Sequence, residues 1–209
     1  MEEKKICAIF AGGPENGAPC LPVPENAYIM CADSGLRLAE RLLLHPDLVL
    51  GDFDSLGAVP VDLPHMAVPV EKDETDTLLA VKTALDRGFR DIRIYGAFGG
   101  RLDHTFANLE TLEYLRKAGA AGFLCGVRDC AYMLLSGERI RLPKREGWSL
   151  SVFSWSEQCG GVTERGVYYP LEDAALSRSF PLGISNRIIA EEAEICCESG
   201  TLLVIQSKL

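Results

Sequence analysis

The feature that most constrains this chain is an alternation in its first two-thirds: short apolar runs, each too short for a helix, separated by segments with helical spacing. The runs are Ile6–Ala11, Ala27–Ala32, Leu48–Leu50, Ala67–Val70, Ile92–Tyr95 and Gly122–Cys125, with Ala131–Leu135 a further candidate. Between them, Leu36, Ala39 and Leu43 recur at i, i+3 and i+7 after Ser34, and Leu78, Val81 and Leu85 do so after Asp76. Phe106, Leu109, Leu112 and Leu115 recur in threes on a third helix, and Gly88 and Gly119 stand where the last two helices should stop. Strands that alternate with helices imply a largely parallel, doubly wound sheet covered on both faces. The fold class expected for this part is α/β.

From about Ser136 the texture changes. Arg139–Leu142, Leu150–Phe153, Val167–Leu171, Glu194–Glu198 and Leu202–Gln206 are short strand-like runs, separated by turn-rich pieces such as Pro143–Gly147, Cys159–Gly161 and Ser199-Gly200. This pattern predicts a small antiparallel β-sandwich or barrel. The expected domains are residues 1–136 and 137–209.

Composition excludes several classes of function. The balance of 21 Lys+Arg against 30 Asp+Glu leaves a net charge of −9 with no basic stripe, which argues against nucleic acid or an anionic membrane as partner. No run approaches the roughly 20 apolar residues of a membrane span, and Ile6–Ala11 is too short for a signal-peptide core. The eight cysteines show no C-x-x-C spacing; they read as reduced thiols in a cytoplasmic protein.

Acidic clusters follow three predicted strands: Gly51-Asp52-Phe53-Asp54-Ser55, Lys72-Asp73-Glu74-Thr75-Asp76 and Gly99-Gly100-Arg101-Leu102-Asp103-His104. Ala32-Asp33-Ser34-Gly35 follows a fourth. The C-terminal ends of parallel strands share one sheet edge, so the four segments should converge. Taken singly, Asp76 and Asp103 are ordinary helix caps and Gly99-Gly100 is an ordinary turn. Together they bring Asp52, Asp54, Asp73, Asp76 and Asp103 to one edge. Two such charges roughly 4 Å apart repel by about 4 kcal/mol at an effective dielectric near 20, unless a cation lies among them. All-oxygen donors favour a hard ion, Mg²⁺ first. The glycine turn 96–100 before a helix start offers N–H groups to a phosphate, and Arg101 adds a bidentate donor. An acidic metal site beside a phosphate cradle reads as phosphoryl-type transfer. His104 reads equally as an acid/base group or as a polar residue of the first helical turn; His45 and His65 read as surface residues.

These segments, in this order, resemble the thiamine pyrophosphokinase family. So do Gly166-Val167-Tyr168-Tyr169-Pro170-Leu171 and Gly183-Ile184-Ser185-Asn186 in the second part, and the likeness runs over essentially the whole chain. The resemblance implies transfer of the pyrophosphoryl group of ATP to the thiamine hydroxyl, giving AMP and thiamine diphosphate. It implies Mg²⁺ and ATP phosphates at Asp52, Asp54, Asp73, Asp76 and Asp103, with Asp33, Ser34, Thr75, Gly99, Gly100, Arg101 and His104 on the ATP side. Of these, Asp54, Asp76 and Asp103 are the catalytic candidates, with Asp76 or Asp103 as acceptor of the hydroxyl proton. Tyr169, Ser185 and Asn186 would form the thiamine pocket. A homodimer is implied, the sandwich of one subunit facing the α/β cleft of the other.

Two positions depart from the family pattern. Tyr169 stands where animal members tend to have tryptophan, and Arg187 stands where an acidic residue is commoner, so a positive charge there would oppose thiazolium if it pointed into the pocket. Two other readings fit parts of the sequence. One is a haloacid-dehalogenase-type phosphatase with Asp52 as nucleophile, because an apolar strand precedes D-x-D. The other is a sensor that binds nucleotide or thiamine without turnover.

Overall fold

Ile6–Phe10 (β1) has Cys7, Ala8, Ile9 and Phe10 without solvent exposure, as a strand buried on both faces of a parallel sheet must be. Fully burying one such side chain stabilises the fold by about 1.5–3 kcal/mol. The computed structural model describes residues 5–13, 17–53, 62–68 and 73–209. The chain divides into two compact units, Met1–Arg128 and Asp129–Leu209.

In the first unit β1 is followed by Tyr28–Ala32 (β2), the helix Gly35–Arg41 (α1), Leu48–Gly51 (β3), His65–Ala67 (β4), the helix Asp76–Asp86 (α2), Asp91–Tyr95 (β5), the helix Leu102–Lys117 (α3) and Ala121–Cys125 (β6). Every strand pairing within the unit is parallel: β1 with β2 and β5, β2 with β3, β3 with β4, and β5 with β6. The strand order β4-β3-β2-β1-β5-β6 reverses its direction of growth between β1 and β5. The doubly wound α/β class read from the sequence is the class observed. Among the described residues, no helix is long and apolar enough to cross a membrane.

The helices differ from expectation in the face they bury. α2 buries Thr77, Ala80, Val81 and Ala84, with Leu78 and Leu85 only half-buried. α3 buries Asn108, Thr111, Leu112 and Leu115, and leaves Phe106 exposed. The reason is geometric: positions 108, 112 and 115 lie on one α-helical face, whereas a repeat of three drifts around the helix. Leu43 lies beyond the end of α1, with φ 57 and almost full exposure.

Gly35 opens α1 directly against the end of β1, where a Cβ would lie 1.9 Å from the Phe10 carbonyl oxygen. Backbone cannot yield as a side-chain tip can. Gly35→Ala should therefore cost roughly 2 kcal/mol or more, measured as a lowered urea midpoint; an unchanged midpoint would show that α1 can move off β1 freely.

The second unit is antiparallel throughout. Its strands are Asp129–Leu134 (β7), Arg139–Pro143 (β8), Trp148–Ser154 (β9), Gln158–Arg165 (β10), Leu171–Ser177 (β11), Gly183–Asn186 (β12), Glu192–Cys196 (β13) and Leu202–Lys208 (β14). β7, β14, β9 and β12 form one row, and β8, β13, β10 and β11 form a separate sheet. Leu142, Leu150, Val152, Val162, Ile195 and Val204 are among the residues of the core of this unit. β7, grouped on sequence with the first domain, pairs along its whole length with β14, which is why the second unit begins at Asp129. Cys159–Gly161, expected as a turn, lies inside β10; the extra residues are absorbed by a bulge between Cys159 and Val162, with Gly161 at φ 66. The run expected from Val167 becomes a strand only at Leu171, after Pro170, which has no N–H for a ladder. All eight cysteines are free thiols.

Candidate active site

Ligands of open α/β sheets bind beyond the strand C-termini where the strand order reverses. Here that point is between β1 and β5, and a cavity of about 430 Å³ opens there. Its floor is the chain leaving those two strands, Ala11, Gly12 and Gly13 from β1 and Gly96 and Ala97 from β5. The two turns touch so closely that a Cβ on Gly13 would lie 2.1 Å from the Gly96 carbonyl oxygen. Gly12-Gly13, which follows the Ile6–Ala11 run, is not among the residues singled out on sequence; its place right after the first strand was the available signal.

The other strands and helices bring the predicted residues to this floor. Asp33 and Ser34 leave β2, Asp52 leaves β3, and Thr75 and Asp76 open α2. Gly100, Arg101 and His104 come from the start of α3. Asp33 sits in the left-handed region at φ 44 and Phe53, buried beside Asp52, at φ 61. Non-glycine residues held there cost of order 1–3 kcal/mol and cluster at functional sites. Asp33 N donates to the Leu50 carbonyl at 2.7 Å, which ties the two acidic turns together. The Asp33 side chain is buried, and its Oδ1 has no hydrogen-bond partner among the described residues.

Thr75 Oγ1 accepts from Leu78 N at 3.2 Å, capping α2 while its own O–H remains a donor. Arg101, the N-cap of α3, gives that helix no side-chain cap. Its guanidinium instead grips the Asp103 carboxylate at 3.1 and 2.5 Å, an exposed pair. Arg101 thereby holds the Asp103 carboxyl below the usual carboxylate range. On α3, Arg101, His104, Thr105 and Asn108 line the cavity. Their spacing of three, four and seven is a polar stripe that sequence reading passed over. Asn108 Nδ2 donates to the Ala97 carbonyl at 2.8 Å and fixes the turn after β5.

Asp73, Gly99 and Asp103 do not line the cavity; Asp73 is exposed and Asp103 points to Arg101. Asp54 lies outside the described residues. The acids that line the cavity, among the described residues, are Asp33, Asp52 and Asp76. Their oxygens are the donor type a hard divalent cation such as Mg²⁺ prefers, although among the described residues they do not close to within 4.8 Å of one another as a ready-made cluster.

In the second unit Ser185 and Asn186 line a cavity of about 420 Å³ together with Trp148 and Arg187. Ser185 is at φ 61. The Tyr169 ring is largely exposed and meets Tyr168 edge-on at 4.8 Å between ring centres. Arg187 does not stand alone: its guanidinium carbon lies over the Tyr168 ring, 4.1 Å from the centre. Asn186 is buried, and its amide is fully occupied. Oδ1 accepts from Tyr169 N at 3.0 Å and Arg187 N at 2.9 Å; Nδ2 donates to the Tyr169 carbonyl at 2.8 Å and to Glu164 Oε2 at 3.2 Å. Two donors and two lone pairs are all an amide has. The resemblance places Asn186 in the thiamine pocket; here its amide is spent on the loop and on Glu164.

Comparison with known proteins follows the same division. Residues 23–123 match the family model described as thiamin pyrophosphokinase, catalytic domain, and residues 138–202 match thiamin pyrophosphokinase, vitamin B1 binding domain. The chain belongs to the thiamin pyrophosphokinase family. A curated thiamine pyrophosphokinase of Bacillus subtilis is 29% identical over 211 residues, covering 97% of this chain and 99% of that protein. The crystal structure of thiamine pyrophosphokinase from Bacillus subtilis superposes with TM-score 0.87 at 27% identity, over 98% of this chain and 100% of that one. The thiamin pyrophosphokinase of Geobacillus thermodenitrificans gives 0.82 at 29% identity, over 98% of each chain. Within the family frame, the cavity residues from Ala32 to Asn108 fall in the catalytic-domain match, Ala11, Gly12 and Gly13 precede it, and Tyr169, Ser185 and Asn186 fall in the vitamin-binding match.

Proposed function

We propose that this chain is a thiamine pyrophosphokinase: it transfers the pyrophosphoryl group of ATP to the hydroxyl of thiamine, with AMP and thiamine diphosphate as products. The observation that carries this reading is a switch-point cavity lined by three carboxylates within the catalytic-domain match, in a chain whose second part matches the vitamin B1 binding domain.

In this reading Asp33, Asp52 and Asp76 hold Mg²⁺. When bound, the ion neutralises polyphosphate charge and offsets charge on the leaving group. The polyphosphate lies over the turns after β1 and β5, where N–H groups and the uncapped start of α3 favour an anion. The Thr75 hydroxyl donates to it, and Arg101 exchanges Asp103 for a phosphate oxygen. The thiamine hydroxyl oxygen forms a bond to the β-phosphorus as the bond from that phosphorus to the AMP oxygen breaks. Positioning supplies most of the acceleration in such transfers. Asp76 or Asp103 takes the hydroxyl proton; Asp103 is held by Arg101 in the free protein and is released when Arg101 turns to the phosphate. Tyr169 offers an aromatic face to thiamine, worth about 0.5–1 kcal/mol against a cation when exposed, and Ser185 offers a hydroxyl. The working unit is a homodimer in the cytoplasm, with sites completed between subunits; light scattering reads its mass directly.

The deciding experiment incubates purified protein with thiamine, ATP and Mg²⁺. Equal amounts of AMP and thiamine diphosphate are expected, with turnover lost on chelation by EDTA and restored by excess Mg²⁺. Thiamine monophosphate with ADP would mean a different transfer. Phosphate release without thiamine would favour the phosphatase, and binding without turnover the sensor.

A further inference from the structure

Glu164 is a carboxylate with no solvent exposure on β10, in the strand-only second unit. Its ladder partners are apolar, Leu171 on β11 and Ile195 on β13. Burying such a group is costly unless something is gained. Its Oε2 accepts from Asn186 Nδ2 at 3.2 Å, and its Oε1 has no partner among the described residues. β10 and β12 belong to different sheets of this unit, so this contact crosses from one sheet to the other. At the far end, Asn186 grips the Tyr169 peptide on both its N–H and its carbonyl and also holds Arg187 N. Ser185, next in the chain, is held in the left-handed region, its N–H donating to Ser151 Oγ at 3.1 Å.

We propose that Glu164 is a positioning residue for thiamine: through Asn186 it fixes the peptide of Tyr169 and the turn at Ser185. The proposal rests on the reading that Tyr169 and Ser185 face thiamine. Without Glu164, one Asn186 N–H is left unsatisfied in a buried site, and the amide is free to turn away from the Tyr169 peptide. The effect then falls on thiamine alone, since the ATP cavity is built from other residues.

Steady-state kinetics on three variants of the full-length protein test this. Glu164→Met keeps the volume and removes the acceptor; thiamine KM should rise at least tenfold, while ATP KM and kcat change less than twofold. Glu164→Gln keeps an acceptor oxygen for Asn186 and should hold thiamine KM within threefold of wild type. Tyr169→Ala tests the underlying reading separately. If Tyr169→Ala leaves thiamine KM unchanged, the placement of thiamine fails. If Tyr169→Ala raises it and Glu164→Met does not, the positioning role alone fails. Equal damage from Glu164→Gln and Glu164→Met, or a fall in kcat with both KM values steady, would also overturn it. Should Glu164→Met not fold, Asn186→Ala breaks the same link from the other end and must show the same thiamine-specific rise; failure of both to fold would make the role structural only.

Discussion

Asp33→Asn should lower kcat by two to three orders of magnitude while the melting temperature does not fall. The substitution is nearly isosteric, and asparagine tolerates the left-handed region that Asp33 occupies at φ 44, so the turn after β2 survives. What is lost is charge at the most enclosed point of the acid cluster. Asp33 is buried and its Oδ1 has no partner among the described residues, an arrangement that costs stability in the free protein. Such a cost is typical of a group kept for a ligand, and electrostatic contacts of this kind are worth about 10²–10³ in rate when removed. Because the free protein gains nothing from that oxygen, stability and activity should part company in the variant. Activity within threefold of wild type would remove Asp33 from the site; a fall in melting temperature that tracks the loss of activity would make its role structural.

The second large effect concerns stability against pH. Glu164, ordinarily near 4.5, is pushed up to about 7 by burial, with the Asn186 hydrogen bond pulling partway back. In the window between these values the folded chain holds a proton that the unfolded chain has released. Folding is therefore favoured most below pH 4.5, and the contribution is lost as pH rises to about 7. At about 1.4 kcal/mol per pH unit, the loss is on the order of 3 kcal/mol. Glu164→Gln removes the titrating group. Urea unfolding of the two proteins from pH 4.5 to 8 should show the variant gaining on wild type through the window and levelling off above it. Parallel profiles would mean that the buried carboxyl does not titrate there.

The acidic turns were legible because each stands at the end of a recognisable strand or at a helix start, and such ends are set by local sequence. Two of the five acids singled out on that ground, Asp73 and Asp103, do not line the cavity. Asp73 is exposed and Asp103 is engaged by Arg101 two residues earlier, while Asp54 lies outside the described residues. A side chain near a strand end can point to the cavity or away from it, and composition does not say which. Asp33, read as an ATP residue, has the unpartnered buried oxygen that best suits a cation. The helix faces were misread for a related reason: small residues, Ala80 and Ala84, let α2 close on the sheet, although Leu78 and Leu85 are the more apolar.

The sequence by itself determined the α/β class of the first unit, the antiparallel class of the second, and which turns carry acid. Periods of 2 and 3.6, caps and glycine stops are all properties of neighbouring residues. The tertiary structure alone decided that the order of strands reverses between β1 and β5, and so which two turns make the floor of the cavity. It alone joined Glu164 to Asn186, 22 residues apart and on different sheets. Parallel pairing and cross-sheet contacts depend on which distant segments bury each other's apolar faces, and no local pattern encodes that choice.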